Sequence, residues 1–506
     1  MQTDTKGANP MFPIAISLVV GIIVARYWLL LVDKWWLWVV VGLIVAVVVA
    51  MDIVRHNSQP ILLFLIAVAG FTLYTQSSTV EKEILPYDQK IDFTAQTLSK
   101  VEQKGRYERC KVQIISLRDS SSRIWHAGSH LLELNIDTAL RLSPERGNCI
   151  TFSGKLRQIT GSYGEYMMSQ GIVGKVYTYR ATIIDSTASQ PTFTDHMQRR
   201  RERVAQRIYK LDTNQIAATS LMSALAIGER SEMPRELKTD YRRMGVSHLL
   251  AISGMNVGII FAVLNVLLGV IRLVKHGRVI FGSMVIAILW AYALLTGMSP
   301  SVVRAVVMFS LLQVGLMSSR SFSSLNILST AAVLMLAFKA DYLFDIGFQL
   351  SFLAMVGIVT LYEPISSLLK IRNRILNAIW NVTVISLSAE VAVLPLVAYY
   401  FGQIPLMGLV MNLAVWLTVP VITVGTLVFL ITWIGVVGTV TMWVAVAQNY
   451  IVSLFAPHWW VSIEGLTIPI YVCLAAYAIL ITLAAVFIKI RAKSARRQIL
   501  QAKYSI

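Results

Sequence analysis

The chain has 506 residues, of which 56% are hydrophobic and only 14% charged. Soluble globular chains carry about 25% charged residues; the deficit, with apolar runs of roughly 18–25 residues, excludes an ordinary soluble protein and predicts a polytopic helical membrane protein. The net charge of +18 does not by itself select a polyanionic partner, because membrane proteins gather Lys and Arg in cytoplasmic loops to fix their orientation.

Three apolar segments come first, over 11–31, 35–51 and 60–75. Trp28, Trp35, Trp36 and Trp38 sit near their ends, as interfacial aromatic belts do. The first segment lacks a clear small-x-small cleavage site and is expected to stay as a span rather than be removed as a signal peptide.

From about 76 to 210 the character is that of a water-exposed domain. Four runs, 111–118, 130–137, 149–157 and 173–184, alternate apolar and polar residues between Gly, Ser and Asp. This period of two predicts antiparallel strands with one wet face. With a short helix over 161–170, four or five such strands suit a small barrel of the OB type. Cys110 and Cys149 fall in this domain; a disulfide between them and two free thiols are both compatible with the sequence. The run 196–210 predicts a basic amphipathic helix carrying Arg199, Arg200, Arg201, Arg203 and Arg207. It serves either as a headgroup-facing connector or as a strip that binds nucleic-acid phosphates without reading sequence.

Beyond Asp212 nine further apolar segments begin near Leu249, Val279, Val302, Leu325, Leu343, Leu376, Pro405, Gly438 and Pro469. With the first three they predict about twelve spans. An N-terminus inside puts the basic loops at 275–278, 318–323 and 370–374 and the tail inside as well, and the strand-rich domain outside. The domain layout expected is therefore a three-span region at 1–75, an extracytoplasmic β-rich domain at 76–194 and a basic connector at 195–240. A multi-span domain at 241–490 and a cytoplasmic tail at 491–506 complete it.

Several apolar segments carry polar groups that a mere anchor would avoid. The stretch 247–258 combines His248, Ser253, Gly254 and Asn256; Arg304 lies one turn inside a segment opened by Pro300. Asp345 and Gln349 share one helical face at i, i+4, and Glu390 lies mid-segment. Pro395 and Pro420 are expected to break their helices. Each polar group could be helix glue; their number, joined to broken helices, favours a polar cavity or pathway.

No Gly-x-x-x-x-Gly-Lys-Ser/Thr segment is present, and the seven histidines form no metal-binding pattern. His126 and His130 flank Gly128 in a predicted loop. His248 and Ser253, five apart, do not share a helical face as a base and nucleophile would. No cofactor, no metal and no catalytic residue are expected.

The segment from Leu225 to Gly258 resembles the hallmark region of the ComEC/Rec2 competence family. So do Pro300-Ser301-x-x-Arg304-Ala305, Asp345-x-Gly347-Phe348-Gln349-Leu350-Ser351-Phe352, and Leu394-Pro395 followed by Phe401-Gly-Gln-Ile-Pro405 and Asn412. Gly164 to Ile172 resembles the end of the family's extracytoplasmic domain. Two departures stand out: Asn256 replaces the family's usual histidine, and no metallo-β-lactamase-like domain follows the last span, so any nuclease is expected to be a separate protein.

The resemblance implies an inner-membrane channel, not itself an enzyme, that passes single-stranded DNA into the cytoplasm during natural transformation. His248, Ser253, Gly254, Asn256, Arg304, Asp345, Gln349 and Glu390 would line or brace its path. Tyr107, Phe152, Tyr163, Tyr166, Tyr177 and Tyr179 would be the stacking candidates of the barrel. Expected partners are single-stranded DNA, a cytoplasmic translocase or strand-binding protein, a periplasmic DNA receptor and a second copy of the chain. The alternatives are a secondary transporter of a small or lipid-like solute and, more distantly, a scaffold that conducts nothing.

Overall fold

The computed structural model describes residues 9–29, 59–78, 87–98, 101–104, 106–119, 125–127, 130–140, 147–159, 171–185, 193–250, 252–318, 323–369 and 371–504, with 142, 144, 164 and 167 singly. They divide into two compact units: 76–196 with 344–346, and the remainder.

The smaller unit is a closed barrel. Its strands are β1 (Lys90–Thr97), β2 (Glu102–Lys104), β3 (Tyr107–Asp119), β4 (Trp125–Ala127), β5 (Leu131–Asp137), β6 (Cys149–Arg157) and β7 (Ile172–Asp185). The long strands β3, β5, β6 and β7 are those predicted from alternation. β1 closes the ring by pairing with both β3 and β6, giving the order β1–β3–β5–β7–β6 around the barrel. Every pairing in the ring is antiparallel except β5 with β7. Alternate side chains point inward, and Ile91, Phe93, Val112, Leu132, Leu134, Ile150, Phe152 and Val176 fill the core. The stacking candidate Phe152 is one of them: its ring stacks on Phe93 at 5.0 Å inside the barrel and is not available to a base. Cys110 and Cys149 are buried and free, so no disulfide joins them. The helix expected over 161–170 lies almost wholly outside the described residues, as do Tyr163 and Tyr166.

The larger unit is helical. It comprises α1 (Met11–Leu29), α2 (Gln59–Ser78), α3 (Phe193–Tyr209), α4 (Ile216–Ile227), α5 (Arg235–Arg243), α6 (Ser247–Leu250), α7 (Gly254–Leu267), α8 (Gly277–Leu295) and α9 (Pro300–Met317). There follow α10 (Ser324–Phe338), α11 (Ile346–Ser366), α12 (Arg374–Phe401), α13 (Gly408–Thr432), α14 (Gly435–Phe455) and α15 (Ile470–Tyr504). A two-stranded antiparallel sheet, β8 (Gln403–Pro405) with β9 (Ser462–Glu464), joins the ends of α12 and α14.

Among the described residues seven helices are long and apolar enough to cross a membrane, α8, α9, α11, α12, α13, α14 and the first half of α15. The count of about twelve is therefore not met. The segments near Leu249 and Leu325 become helices of 14 and 15 residues, about 21–23 Å at 1.5 Å per residue, short of the roughly 30 Å hydrocarbon core. The segment 35–51 lies outside the described residues.

The proline breaks are absent as well. α12 runs through Pro395 and α13 through Pro420. Near the first, Tyr477 donates to the Ala392 carbonyl at 3.1 Å and the Cys473 thiol lies 3.5 Å from the Pro395 carbonyl. Side chains of α15 thus bond to the carbonyls of Ala392 and of the proline itself, close to where the ladder lacks one N–H.

At the centre lies α4, buried from Ala218 through Ile227. A helix apolar on all sides belongs inside, and α4 packs against α13 and α14. Tyr241 of α5, fully buried, donates to Asn449 Oδ1 and accepts from Gln448 Nε2, both at 2.9 Å. Gln448 also takes the Thr418 hydroxyl at 2.7 Å, and Asn449 donates to the Ala217 carbonyl at 3.0 Å. A closed polar network therefore ties α4, α5, α13 and α14.

Burial pushes the Cys110 thiol up to about 12, with Glu108 adding to it. A thiol whose folded value is raised stabilises the fold below its unfolded value near 9, and that stability is lost as pH climbs toward 12. In the native chain Cys110 is expected to resist maleimide at pH 8 and to react only in denaturant; rapid labelling of the folded protein at Cys110 by mass spectrometry would contradict the packed barrel.

Candidate nucleic-acid interface

The outer face of β5 carries Glu133, Asn135 and Asp137 in alternation, each at least 95% buried. Strands do not bury outward carboxylates unless something covers them. Here Arg109 pairs with Glu133 and Arg106 with Asp137, each at 3.2 Å, and Tyr177 lies in register with Asn135 on the parallel neighbour β7.

Tyr177 is one of three tyrosines gathered on this face. Tyr107, at the start of β3, meets it edge-on with ring centroids 5.2 Å apart. The Tyr107 and Tyr179 hydroxyls share a hydrogen bond of 3.1 Å. That bond, with burial adding to it, raises the Tyr107 phenol above its ordinary value, so the group stays neutral at physiological pH. On the β6 side the Arg157 guanidinium and the Lys175 ammonium lie 5.8 and 5.9 Å from the Tyr177 ring, and Lys155 is its cross-strand partner.

A bulge aims Tyr179. Between Phe152 and Gly154 the β6–β7 register slips, so that Tyr179 and Arg180 both stand opposite Ser153. Such an insertion sharpens the local bend and re-aims side chains. The buried Thr178 hydroxyl holds it, its one proton shared between the Ser153 and Arg180 carbonyls at 2.8 and 2.7 Å while its oxygen accepts the Arg180 N–H at 3.1 Å. Both bulge side chains are exposed, Tyr179 by 60%. The result is a basic, aromatic face. Sequence reasoning named Tyr107, Tyr177 and Tyr179 but not Lys155, Arg157 or Lys175, whose i, i+2 spacing along two predicted strands was the available signal.

The residues of the 247–258 stretch separate. Asn256 is fully buried and donates through Nδ2 to the Leu225 carbonyl at 3.1 Å. Beside it Tyr292 donates to the Ala226 carbonyl at 3.0 Å, and the Gly228 N–H to that of Ala224 at 3.2 Å. Three of the last four carbonyls of α4, groups a helix cannot satisfy itself, are thus bonded. Ser253 occupies the N-cap position of α7, yet its hydroxyl makes no capping bond. Gly258 lets α7 close on α9, since a Cβ there would stand 3.1 Å from the Phe309 ring, whereas one at Gly254 would meet only Ala305 at an ordinary 3.6 Å; Ser301 donates to the Ile252 carbonyl at 2.9 Å. His248 lies on the exposed side of α6, and among the described residues no hydrogen bond joins it to Ser253.

A second group forms at the start of α11. Arg304, 2% exposed, donates to the Gly347 carbonyl at 3.3 Å and lies over the Phe352 ring. Gln349 donates to the Leu343 carbonyl at 2.9 Å and accepts from Tyr400 at 3.1 Å. Asp345 is buried at the residue preceding α11. Glu390 is elsewhere, on α12, with its carboxylate against Gly408, where a Cβ would clash at 2.6 Å.

The five arginines of α3 also divide. Arg201 is turned inward, pairing with Glu229 and donating to the Thr296 carbonyl, both at 3.1 Å. Arg207 lies 4.2 Å over the Trp433 ring. Arg199, Arg200 and Arg203 face outward. No group of three metal-ligating side chains exists among the described residues.

Residues 225–490, just over half of the chain, match the family described as Competence protein. The chain belongs to the Competence protein family. It is 31% identical over 196 residues to ComE operon protein 3 of Bacillus subtilis, covering 39% of this chain and 24% of that one. It is also 31% identical over 137 residues to an uncharacterized protein of Aquifex aeolicus, 27% of this chain and 32% of that one. The chain thus spans about a quarter and a third of the lengths of these relatives. No solved structure matches it. The family match begins at Leu225, the first of the two α4 carbonyls that side chains of α7 and α8 cap.

Replacing Asn256 by Ala leaves the Leu225 carbonyl buried without its donor, a loss of about 1–3 kcal/mol. The purified Asn256→Ala chain is expected to unfold at a lower temperature than wild type in detergent, while Ser253→Ala, which removes no bond, leaves the midpoint unchanged.

Proposed function

We propose that this Competence family protein is a multi-pass channel subunit of the inner membrane, carrying single-stranded DNA into the cytoplasm during natural transformation. The tyrosine and basic face of the barrel carries the proposal. Sequence-tolerant strand binding needs a cationic track for phosphates and aromatic rings for bases; Lys155, Arg157 and Lys175 supply the first and Tyr107, Tyr177 and Tyr179 the second. The ring order, with its one parallel pair between the third and last long strands, is that of an OB barrel, a fold used for oligonucleotides.

The barrel then faces outward, with both termini of the chain in the cytoplasm. It takes the strand from an extracytoplasmic receptor and passes it to the membrane unit, where the exposed Arg199, Arg200 and Arg203 and the polar groups around Arg304, Gln349 and Glu390 lie on or brace the route. The chain itself performs no covalent chemistry. A cytoplasmic translocase or strand-binding protein supplies the pull, and a second copy completes a passage wide enough for a strand.

The full chain in detergent is expected to bind an oligo-dT strand with affinity that falls steeply with salt. Replacing Tyr107, Tyr177 and Tyr179 together by Ala should weaken binding at least tenfold, since stacking contributes about 1–3 kcal/mol per base. In cells the same variant should lower transformation by linear DNA at unchanged protein level. Normal uptake of labelled DNA into the cytoplasm of a deletion strain would refute the channel role.

A further inference from the structure

Beside the β6–β7 bulge lies a cleft of about 560 Å³, lined by the half-buried Leu140 and Ala181 and by Asp92, Ser153, Tyr179 and Arg180. Tyr179 belongs both to this cleft and to the stacking face. Apolar Leu140 and Ala181 among a few convergent polar groups have the form of a small-ligand site, and the volume admits a purine with its sugar.

The rim limits what enters. Asp92 is exposed on β1, in register with Ser153, whose hydroxyl donates to its Oδ1. That bond orients the carboxylate and leaves its remaining lone pairs open, since an ionised carboxylate accepts at about four positions. A negative charge at this point repels a phosphate, so the group it favours is a neutral edge rich in N–H donors. Among the unpaired bases, guanine alone offers two adjacent N–H donors on one edge, N1–H and the N2 amino group. Adenine and cytosine offer one amino group, and thymine one imino N–H. Arg180, one residue along the bulge, stands on the opposite rim, where the phosphate of the same nucleotide would lie.

We propose that the bulge cleft is a nucleobase pocket that selects guanine from a single strand, with Asp92 reading the base edge, Ser153 holding Asp92 and Tyr179 passing the base in from the stacking face. The proposal rests on the DNA-binding role given above to the neighbouring tyrosines. It makes strand capture biased by sequence at one position, although the rest of the face is sequence-tolerant.

The full chain in detergent, titrated against labelled dT15 strands bearing one central G, A, C or T, tests it by fluorescence anisotropy. The G strand should bind roughly tenfold more tightly than the all-T strand, as a good bidentate contact gives. Asp92→Asn should bring the four strands within twofold of one another and leave the all-T affinity unchanged or slightly raised. Ser153→Ala, which keeps the carboxylate but frees it to rotate, should show a smaller G preference than wild type. Equal affinities for the four strands in the wild-type chain would overturn the pocket while leaving the tyrosine face standing, and so would a full G preference in Asp92→Asn. Absence of binding to any of the strands would overturn both.

Discussion

A helix surrounded by protein has no water to receive its last carbonyls, and α4 is surrounded from Ala218 to Ile227. In a chain whose larger unit is built for lipid, each unsatisfied carbonyl there would cost several kcal/mol. The solution brings together groups from three places in the sequence. Gly228 turns left-handed at φ 75° and returns its own N–H to Ala224; Asn256 reaches Leu225 from α7, and Tyr292 reaches Ala226 from α8. Just past the turn, Glu229 takes Arg201 from α3, and the same guanidinium ties down the loop after α8. The meeting of α3, α4, α7 and α8 follows from this one requirement.

The polarity of the 247–258 stretch has a physical explanation on those terms. Its asparagine is a buried donor, and Gly258 allows the close approach of α9. Arg304 and Gln349 act alike around the start of α11, each bonding to a backbone carbonyl. Polar residues inside an apolar chain are thus first of all a means of satisfying backbone that neighbouring turns leave open, and the conducting path proposed above has to be built from what remains exposed.

Much of this architecture was legible in the sequence. Strict alternation marked β3, β5, β6 and β7 because one face of each is wet, and the shortage of charge marked the membrane unit. β1 escaped notice, although it closes the ring. The number of spans comes out too high from the sequence because apolar composition does not distinguish a helix that crosses lipid from one such as α7 or α10 that is too short to do so. Pro395 and Pro420 were overread as breaks because the sequence cannot display the Tyr477 hydroxyl that bonds beside the first. Arg201 looked like its four neighbours on a basic helix; only the fold brings Glu229 against it.

Charge misleads most where it is counted rather than placed. Of the arginines on α3, one is neutralised by Glu229 and another lies over Trp433, while on the barrel Arg106 and Arg109 cover the carboxylates of β5. The cations open to a polyanion are better found by a second criterion, alignment with aromatic rings at strand spacing, which picks out Lys155, Arg157 and Lys175 around Tyr177. Applied to acids, the same logic singles out Asp92: exposed beside the face proposed to bind a polyanion, it would repel a phosphate and accept the N–H donors of a base edge.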